Sequence, residues 1–168
     1  MSQLAVTVIG PDRPGIIADV TGALAGVGVN LEDSTMTLLR GHFAMMLVCS
    51  GPADGVQEAL EPLGGELVIT VREVGPEQTH APVGAPYILS VHGADRPGIV
   101  SAITRIVAAV GGTVTDLSTR LSGSLYVLTA EVELPASANL GMLQSALEVT
   151  ADELGVGVTL RPAESDDL

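Results

Sequence analysis

A seven-residue phrase, GxDRPGI, occurs twice in this 168-residue chain, at 10–16 and again at 93–99. Proline favours the first position of a helix and keeps the residue before it out of helical geometry, so we expect helices to begin at Pro14 and Pro97. The N–H groups that follow have no acceptor inside the helix, and the helix dipole adds partial positive charge there. Each phrase therefore predicts a small site for a carboxylate or a phosphate.

The acids and glycines of the two phrases indicate what such a site binds. Asp12 and Asp95 stand just before the turn, where a carboxylate can accept an ammonium group, while Gly15 and Gly98 keep side chains away from the ligand. Together these features indicate a free amino acid. The same residues also fit a structural turn, because Asp often caps a helix and Pro-Gly often marks a strand-to-helix turn. The arginine of each phrase can instead make a structural hydrogen bond to a neighbouring loop.

The repetition extends far beyond the phrase. A shift of 83 residues, which carries Gly10 onto Gly93, also aligns Thr21 with Thr104 without a gap. The chain is therefore a tandem duplication. Within the phrase, six of the seven positions are identical in the two copies, which is more than a structural turn requires.

Both copies share one pattern of apolar residues. Short apolar runs that end in glycine predict strands at 4–10 and 87–93, and apolar residues at helical spacing follow each phrase. A hairpin, a second helix after Pro52 or Pro135, and a closing strand complete each copy. The predicted fold class is α+β, with two tandem ferredoxin-like βαββαβ domains, each with an antiparallel four-stranded sheet. The other predicted strands are 29–39, 43–50, 66–72, 112–121, 125–134 and 156–161.

Gly28 and Gly111 are expected to lie just past the end of the first helix in the first and second copy, respectively. Further positions are predicted to be buried. In the second copy, the second helix has an apolar face formed by Leu140, Leu143, Leu147 and Leu154. In the first copy, Met36, Met45 and Met46 are expected to fill the core, and the single cysteine, Cys49, is expected on a buried strand.

The predicted domain organisation follows the two copies. The first domain spans 1–75, a Pro- and Gly-rich linker spans 76–85, the second domain spans 86–163, and an acidic tail covers 164–168.

Composition limits the partners of the chain. With seven basic residues, three aromatic side chains and a net charge of −13, direct contact with nucleic acid is not expected, nor is binding to an anionic membrane surface. The amino terminus has no basic stretch before an apolar run, so we expect no signal peptide and a cytoplasmic location.

The chain shows no arrangement of residues typical of catalysis. His42, His80 and His92 share no metal-ligand spacing, and neither a nucleophile elbow nor a Ser-His-Asp order is evident. We therefore expect no enzyme activity, no metal and no cofactor. His92 lies at a strand end, where a ligand contact is an alternative. Asp33 and Asp116, which match between the copies, either extend the polar site, cap a turn or face solvent.

A strand followed by GxDRPGI, an amphipathic helix, the segment GVGVNLED and a hairpin resembles the ACT domain. The resemblance covers about 3–73 and 86–162. This module binds amino acids in metabolic enzymes and their regulators, and two copies filling a short chain are similar to tandem ACT proteins of the glycine-cleavage-system transcriptional repressor type.

In that family the ligand lies between two ACT units, one supplying the loop after its first strand and the other the start of its second strand. The resemblance implies ligand-binding residues at Gly10, Pro11, Asp12, Pro14, Gly15, Ile16 and Asn30, and at Gly93, Ala94, Asp95, Pro97, Gly98, Ile99 and Thr113. The second copy departs from the pattern at Thr113, where the first copy has Asn30, so the two sites need not be equivalent.

The expected function is that of a regulatory protein that senses a small amino acid at the interfaces between ACT units. It is expected to act through protein contacts, with a protein partner and as a homo-oligomer, a dimer, in the regulation of amino-acid metabolism or transcription. The alternative is an interaction scaffold made of ACT-like folds that binds no metabolite.

Overall fold

The computed structural model of the chain describes residues 2–76 and 84–164. The chain divides into two compact units, Met1–Gln78 and Thr79–Leu168. Most of the predicted linker and of the predicted acidic tail, 77–83 and 165–168, lies outside the described residues, so the predicted domain boundaries stay predictions. Within the described part of the chain no helix is both long enough and apolar enough to cross a membrane.

The first unit has the element order βαββαβ. Its elements are β1 (Ser2–Pro11), α1 (Ile16–Gly26), β2 (Asn30–Leu39), β3 (His42–Gly51), α2 (Val56–Leu60, extended by a 3-10 turn at Glu61–Leu63) and β4 (Val68–Val74). The strands form one antiparallel sheet in the order β2-β3-β1-β4.

The second unit repeats that order with a longer second helix. Its elements are β5 (Ala85–Ala94), α3 (Ile99–Ala109), β6 (Thr113–Ser122), β7 (Leu125–Leu134), α4 (Leu140–Leu154) and β8 (Val156–Pro162). The sheet order is β6-β7-β5-β8. The predicted fold class is confirmed in both units.

Each unit buries its own aliphatic core between its two helices and one face of its sheet, here called the helix face. In α1 the buried residues are Ile16, Val20 and Leu24, spaced as one helical stripe. In β1, buried residues alternate with less buried ones, as expected when one side of a strand packs against helices. Among the described residues, no helix or strand of the same unit covers the other side of each sheet, which is here called the open face.

Glycines end the first helix of each unit as predicted. Gly28 and Gly111 adopt positive φ angles of 78° and 77°. The N–H of Gly28 donates to the carbonyl of Ala25, and the next N–H, of Val29, donates to that of Leu24. This Schellman arrangement satisfies carbonyls at the end of α1 that have no partner within the helix, and glycine adopts the required φ without strain.

Several predicted core positions are wrong. Met45 is buried on the helix face, but Met36 and Met46 are exposed, Met36 on the outermost strand β2 and Met46 on the open face. In α4 the buried residues are Leu143, Leu147 and Ala151, whereas Leu140 is exposed. Leu140 is the first residue of α4, a position where the helix has only begun to pack on the sheet.

Candidate functional site

The two DRPG loops begin their helices later than the sequence predicts. Gly15 and Gly98 occupy the cap positions of α1 and α3, so the helices begin at Ile16 and Ile99 rather than at the prolines. The first intrahelical bond of α1 runs from the N–H of Asp19 to the carbonyl of Gly15, at 2.9 Å. The free N–H groups are therefore those of the turn that starts at Ile16, and the expected helix start at Pro14 is wrong by two residues.

The backbone conformation explains why glycine occupies the cap. Gly15 has φ 87° and Gly98 has φ 93°, a left-handed region that residues with a Cβ enter only at a cost. A Cβ at Gly98 would meet no atom within 4 Å, and one at Gly15 would meet only the Arg13 side chain, at 3.9 Å. Among the described residues, the space beside both cap glycines is therefore open.

The aspartates of the loops do not cap the helices. Both α1 and α3 lack a side-chain hydrogen bond at the cap, and Asp12 and Asp95 are exposed. Across the described residues neither carboxylate has a hydrogen-bond or ion-pair partner. The structural reading of these acids as N-caps is therefore not realised. The backbone N–H of Asp12 donates to the carbonyl of Gly41 at 3.1 Å, which ties the first loop to the β2–β3 turn.

The arginines of the two phrases make structural contacts, and the contacts differ. Nη1 of Arg13 lies 3.0 Å from Oδ2 of Asp19 and 3.2 Å from the carbonyl oxygen of Pro14, so the side chain folds back over its own loop. Nη1 of Arg96 instead donates to the carbonyl of Glu153 near the end of α4, at 3.3 Å. A cation at a helix C-terminus is favoured by the helix dipole.

Packing accounts for several other predicted site residues. A Cβ at Gly10 would lie 2.7 Å from the carbonyl oxygen of Glu66, and one at Gly93 would lie 2.9 Å from Cγ1 of Val156. Both glycines therefore let the end of the first strand approach the start of the closing strand. Ile16 and Ile99 are buried in the cores. Besides the aspartates and the cap glycines, the exposed members of the predicted set are Pro11, Pro14, Ala94, Pro97, Asn30 and Thr113.

The structure does not bring Asn30 to the loop of its own unit. Asn30 pairs with Ser50, which pairs with Gln3 near the start of β1, whereas the loop follows Gly10 at the far end. Seven residues of extended strand, about 23 Å, separate these two ends. The second unit has the same arrangement, with Thr113 paired to Glu133 at the end of the sheet remote from Gly93.

Sequence reasoning missed a β-bulge near the start of each second strand. The pairing of β2 with β3 shifts between Leu31 and Asp33, and that of β6 with β7 shifts between Val114 and Asp116. The extra residue turns Asp33 and Asp116 onto the open faces, where both are exposed. A bulge is a property of two paired strands, and the sequence of one strand carried no signal for it.

Two histidines lie within the described residues, and His80 lies outside them. His42 opens β3 and is exposed. The ring of His92 lies over Gly157, where a Cβ would come within 2.6 Å of the ring. A structural contact with β8 thus accounts for the position of His92 at the end of its strand.

Cys49 lies on the helix face of β3 and is buried, as predicted. Burial raises the pKa of its thiol above the ordinary value of 9.0, and the charge of Glu32 raises that pKa further. A thiol with a raised pKa is a weak nucleophile at neutral pH.

A family comparison agrees with this geometry. The sequence profile of the ACT domain matches residues 2–73 and again 86–161, which is most of the chain. The chain belongs to the ACT domain family. The two matches coincide with the two βαββαβ units and include both DRPG loops.

Relatives of similar length share both domains. The glycine cleavage system transcriptional repressor of Escherichia coli (strain K12) is 26% identical over 162 residues, covering 90% of this chain and 85% of the relative. A crystal structure of a Galdieria sulphuraria protein matches 97% of this chain and 99% of its own, with 31% identity and a TM-score of 0.79. Another, assigned as a glycine cleavage system transcriptional repressor, covers 98% of each chain with 22% identity and a TM-score of 0.72, which supports the fold alone.

Proposed function

We propose that this tandem ACT protein is a sensor of a small amino acid, that it binds the ligand between ACT units, and that it acts through contacts with protein partners rather than by catalysis. The single observation that carries the proposal is the pair of DRPG loops. Among the described residues, each loop has an aspartate without a hydrogen-bond or ion-pair partner, next to a helix start whose cap glycine borders open space.

The chemistry of the loop suits both ends of an amino acid. A ligand carboxylate accepts hydrogen bonds from the N–H groups of the first helical turn, which starts at Ile16 or Ile99 and carries the positive end of the helix dipole. The ammonium group pairs with Asp12 or Asp95, whose carboxylates make no other contact among the described residues. The arginines are not needed for the ligand, because Arg13 and Arg96 are engaged in structural contacts.

The separation of Asp12 from Asn30 supports a site shared by two units. About 23 Å of strand divides them within the first unit, so one ligand of a few heavy atoms cannot touch both in the same unit. A site built from the loop of one unit and the Asn30 end of another meets the distance requirement. Binding of this kind stabilises whichever arrangement of units presents the complete site, and a sensor requires no more than that.

The partner is a protein on grounds of charge. The chain carries a net charge of −13, which opposes direct contact with a nucleic-acid backbone. The related glycine cleavage system transcriptional repressor suggests that the regulated process is the expression of genes of amino-acid metabolism. We propose that this chain works in that process through a partner protein and as a homo-oligomer, in the cytoplasm.

Calorimetric titration of the full chain with each of the twenty amino acids tests the proposal. We expect binding of at least one small amino acid with micromolar affinity; for a ligand of about seven heavy atoms the ceiling is about −10 kcal/mol. Asp12→Ala and Asp95→Ala, separately and together, should weaken binding at least about tenfold, since each removes a charge-assisted contact. Asp54→Ala, an exposed acid elsewhere in the first unit, is the matched control and should bind normally.

Each outcome has a distinct meaning. Absence of heat with all twenty amino acids would replace the sensor by an interaction scaffold. Binding that survives loss of both aspartates would keep the sensor and refute this site. Turnover of the bound ligand would show that the protein is an enzyme.

A further inference from the structure

The open face of the first sheet is apolar along its centre. Ile9, Met46 and Val68 are 55%, 47% and 64% exposed, although all three lie in strands of a four-stranded sheet. Around them lie Ala5, Ala44 and Val48. Large apolar side chains grouped on one sheet face are typical of surfaces that another protein covers.

The corresponding face of the second unit is polar, so the apolar surface is not a property of the fold. At the positions that match by the 83-residue shift, Met46 is replaced by Thr129, Ile9 by His92 and Val48 by Glu131. Glu131 pairs with Ile88 of β5 and with Asp116 of β6, on the same face. The two copies share a backbone and differ in what their open faces can contact.

Two opposite charges lie at opposite edges of the apolar face. Asp33, Val48, Ala5 and Arg72 form one row across β2, β3, β1 and β4. Asp33 and Arg72 are both exposed, and among the described residues neither forms an ion pair.

We propose that this open face packs against the same face of a second copy of the chain, forming a two-fold symmetric homodimer through the first units. The two-fold axis runs parallel to the strands, between the two facing sheets and midway between β1 and β3. It places the β2 edge of one sheet opposite the β4 edge of the other, and each row of paired residues lies opposite the same row of the other copy. Asp33 of each copy then lies opposite Arg72 of the other, so two equivalent ion pairs form, as an isologous interface requires. Stacked sheets lie about 10 Å apart, a gap that an arginine and an aspartate span end to end.

Side-chain sizes along the central strands fit the same axis. It places β3 of one copy over β1 of the other, so that Met46 faces Thr7, Ile9 faces Ala44 and Val48 faces Ala5. Each row joins a larger side chain to a smaller one, which lets the two faces interdigitate. Beside Met46 a shallow depression of about 240 Å³ is lined by residues including Thr7, Thr35 and Ala44, and it offers room for the flexible methionine of the other copy.

The open face of the second unit is a poorer occupant for this surface. Packing the open face of the second unit against the open face of the first would place the carboxylate of Glu131 and the ring of His92 against Ala5, Ala44 and their apolar neighbours. Burying an unpaired carboxylate carries a large desolvation penalty. A second apolar face avoids that penalty, and only the first unit supplies one.

The area of the first unit's open face sets the affinity that we expect for the dimer. Four strands about 4.8 Å apart and seven residues long cover about 19 Å by about 23 Å, so each copy contributes a flat area of about 440 Å². This lies below the ~800 Å² that each partner of a standard interface buries and corresponds to the small interfaces of weak, transient complexes. We therefore expect a dimer that dissociates in the micromolar range.

Sedimentation of the full chain over a concentration series tests the surface. The wild type should shift between two masses that differ twofold. Met46→Glu should raise the dissociation constant of that step more than about 100-fold, because two carboxylates would be buried without partners. Thr129→Glu, at the matched position of the second unit, should leave the dissociation constant within about twofold, since it adds a surface charge outside the proposed face. Circular dichroism and thermal melting check that both variants are folded.

A charge exchange tests the axis. Asp33→Arg alone and Arg72→Asp alone should each weaken the dimer, because each places like charges opposite one another twice. The double variant, Asp33→Arg with Arg72→Asp, should recover most of the wild-type association. Asp116→Arg with Arg161→Asp, the corresponding exchange on the second unit, is the control and should have no effect.

A wild type that sediments as a single concentration-independent species would overturn the proposal. So would a Met46→Glu protein that associates as the wild type does, or a Thr129→Glu protein that is equally impaired. Failure of the double exchange to recover association would refute the proposed two-fold axis. None of these results bears on amino-acid binding, which is measured separately.

Discussion

Gly15 and Gly98 hold the two loops in a conformation that places open space before a helix start. Their φ angles of 87° and 93° are enough to explain the presence of glycine in both copies. A Cβ would meet almost no protein atoms there, so no contact within the unit requires glycine. Beside each glycine, an aspartate, Asp12 or Asp95, has no hydrogen-bond or ion-pair partner among the described residues.

Gly15→Ala should lower the free energy of unfolding by about 1 kcal/mol, since alanine is disfavoured at positive φ. Gly22→Ala provides the matched change within α1. Gly22 lies inside the helix, and a Cβ added there would meet no atom within 4 Å, so alanine should raise the free energy of unfolding by about 0.5–1 kcal/mol. Urea denaturation measures both, and equal effects of the same sign would contradict the conformational explanation.

Cys49 should make the protein less stable at alkaline pH. Its pKa in the folded state is raised above 9.0 by burial, with Glu32 adding to the effect, so the unfolded chain loses this proton more readily. The stabilisation is complete below pH 9.0 and is lost as the pH rises from there through the folded pKa. The chain contains no lysine, which leaves few other groups titrating in this window.

The measurement compares thermal melting between pH 7 and 10.5 for the wild type and Cys49→Val. Valine is apolar and does not ionise, so the variant should lose less stability above pH 9.0 than the wild type does. The same alkaline slope in both proteins would show that Cys49 does not cause the loss of stability.

Among the elements, α4 differs most from its counterpart. It runs from Leu140 to Leu154, whereas α2 has five residues and a 3-10 turn. Sequence periodicity located the buried stripe of α4 but extended it one turn too far, to Leu140. The first turn of a helix carries part of the pattern without being covered by the sheet.

Alanine substitutions at a buried and at an exposed position of the predicted stripe should differ strongly. Leu147 is 1% exposed, and Leu147→Ala should lower the free energy of unfolding by about 2–5 kcal/mol through lost burial and a residual cavity. Leu140 is 41% exposed, and Leu140→Ala should lower it by less than about 1 kcal/mol. Chemical denaturation measures both, and similar losses would mean that Leu140 packs more closely than the structure shows.

Local patterns predicted most of the fold and only part of the site. Strand alternation, the helical stripes and glycines such as Gly28 identify elements because each reflects the residues of one segment. The cap at Gly15 displaced the helix start, since proline alone does not set the next residue's φ. The bulges before Asp33 and Asp116 depend on pairing between strands, which no single segment encodes.

At the scale of the whole molecule, duplication allowed two similar units to take different surfaces. The loops are nearly identical, yet Arg13 and Arg96 brace them by different contacts. The open faces are apolar in one unit and polar in the other. The second strand of each unit begins at the end of the sheet remote from the loop, with Asn30 in one unit and Thr113 in the other. The shared loops suit a common ligand, while the differing surfaces suit different neighbours.

Thr113→Asn should therefore make the two proposed ligand sites more alike. An amide supplies one acceptor and two donors where threonine has a single hydroxyl, and Thr113 is exposed at the start of β6, so the change should not disturb the core. If the wild type binds about one amino acid per chain, the variant should bind about two, or bind the second about tenfold more tightly, as expected for one or two added hydrogen bonds. Asn30→Thr, the reverse change, should weaken the first site.

The titration that identifies the ligand also checks this prediction, with stoichiometry as the readout. Ser118→Asn, an exposed position on the same strand, is the matched control, and it should leave both stoichiometry and affinity unchanged. Unchanged binding in both Thr113→Asn and Asn30→Thr would exclude the start of the second strand from the site. Because Asn30 lies about 23 Å from Asp12 within its unit, loss of binding in Asn30→Thr together with loss in a loop variant would instead show that two units share each ligand.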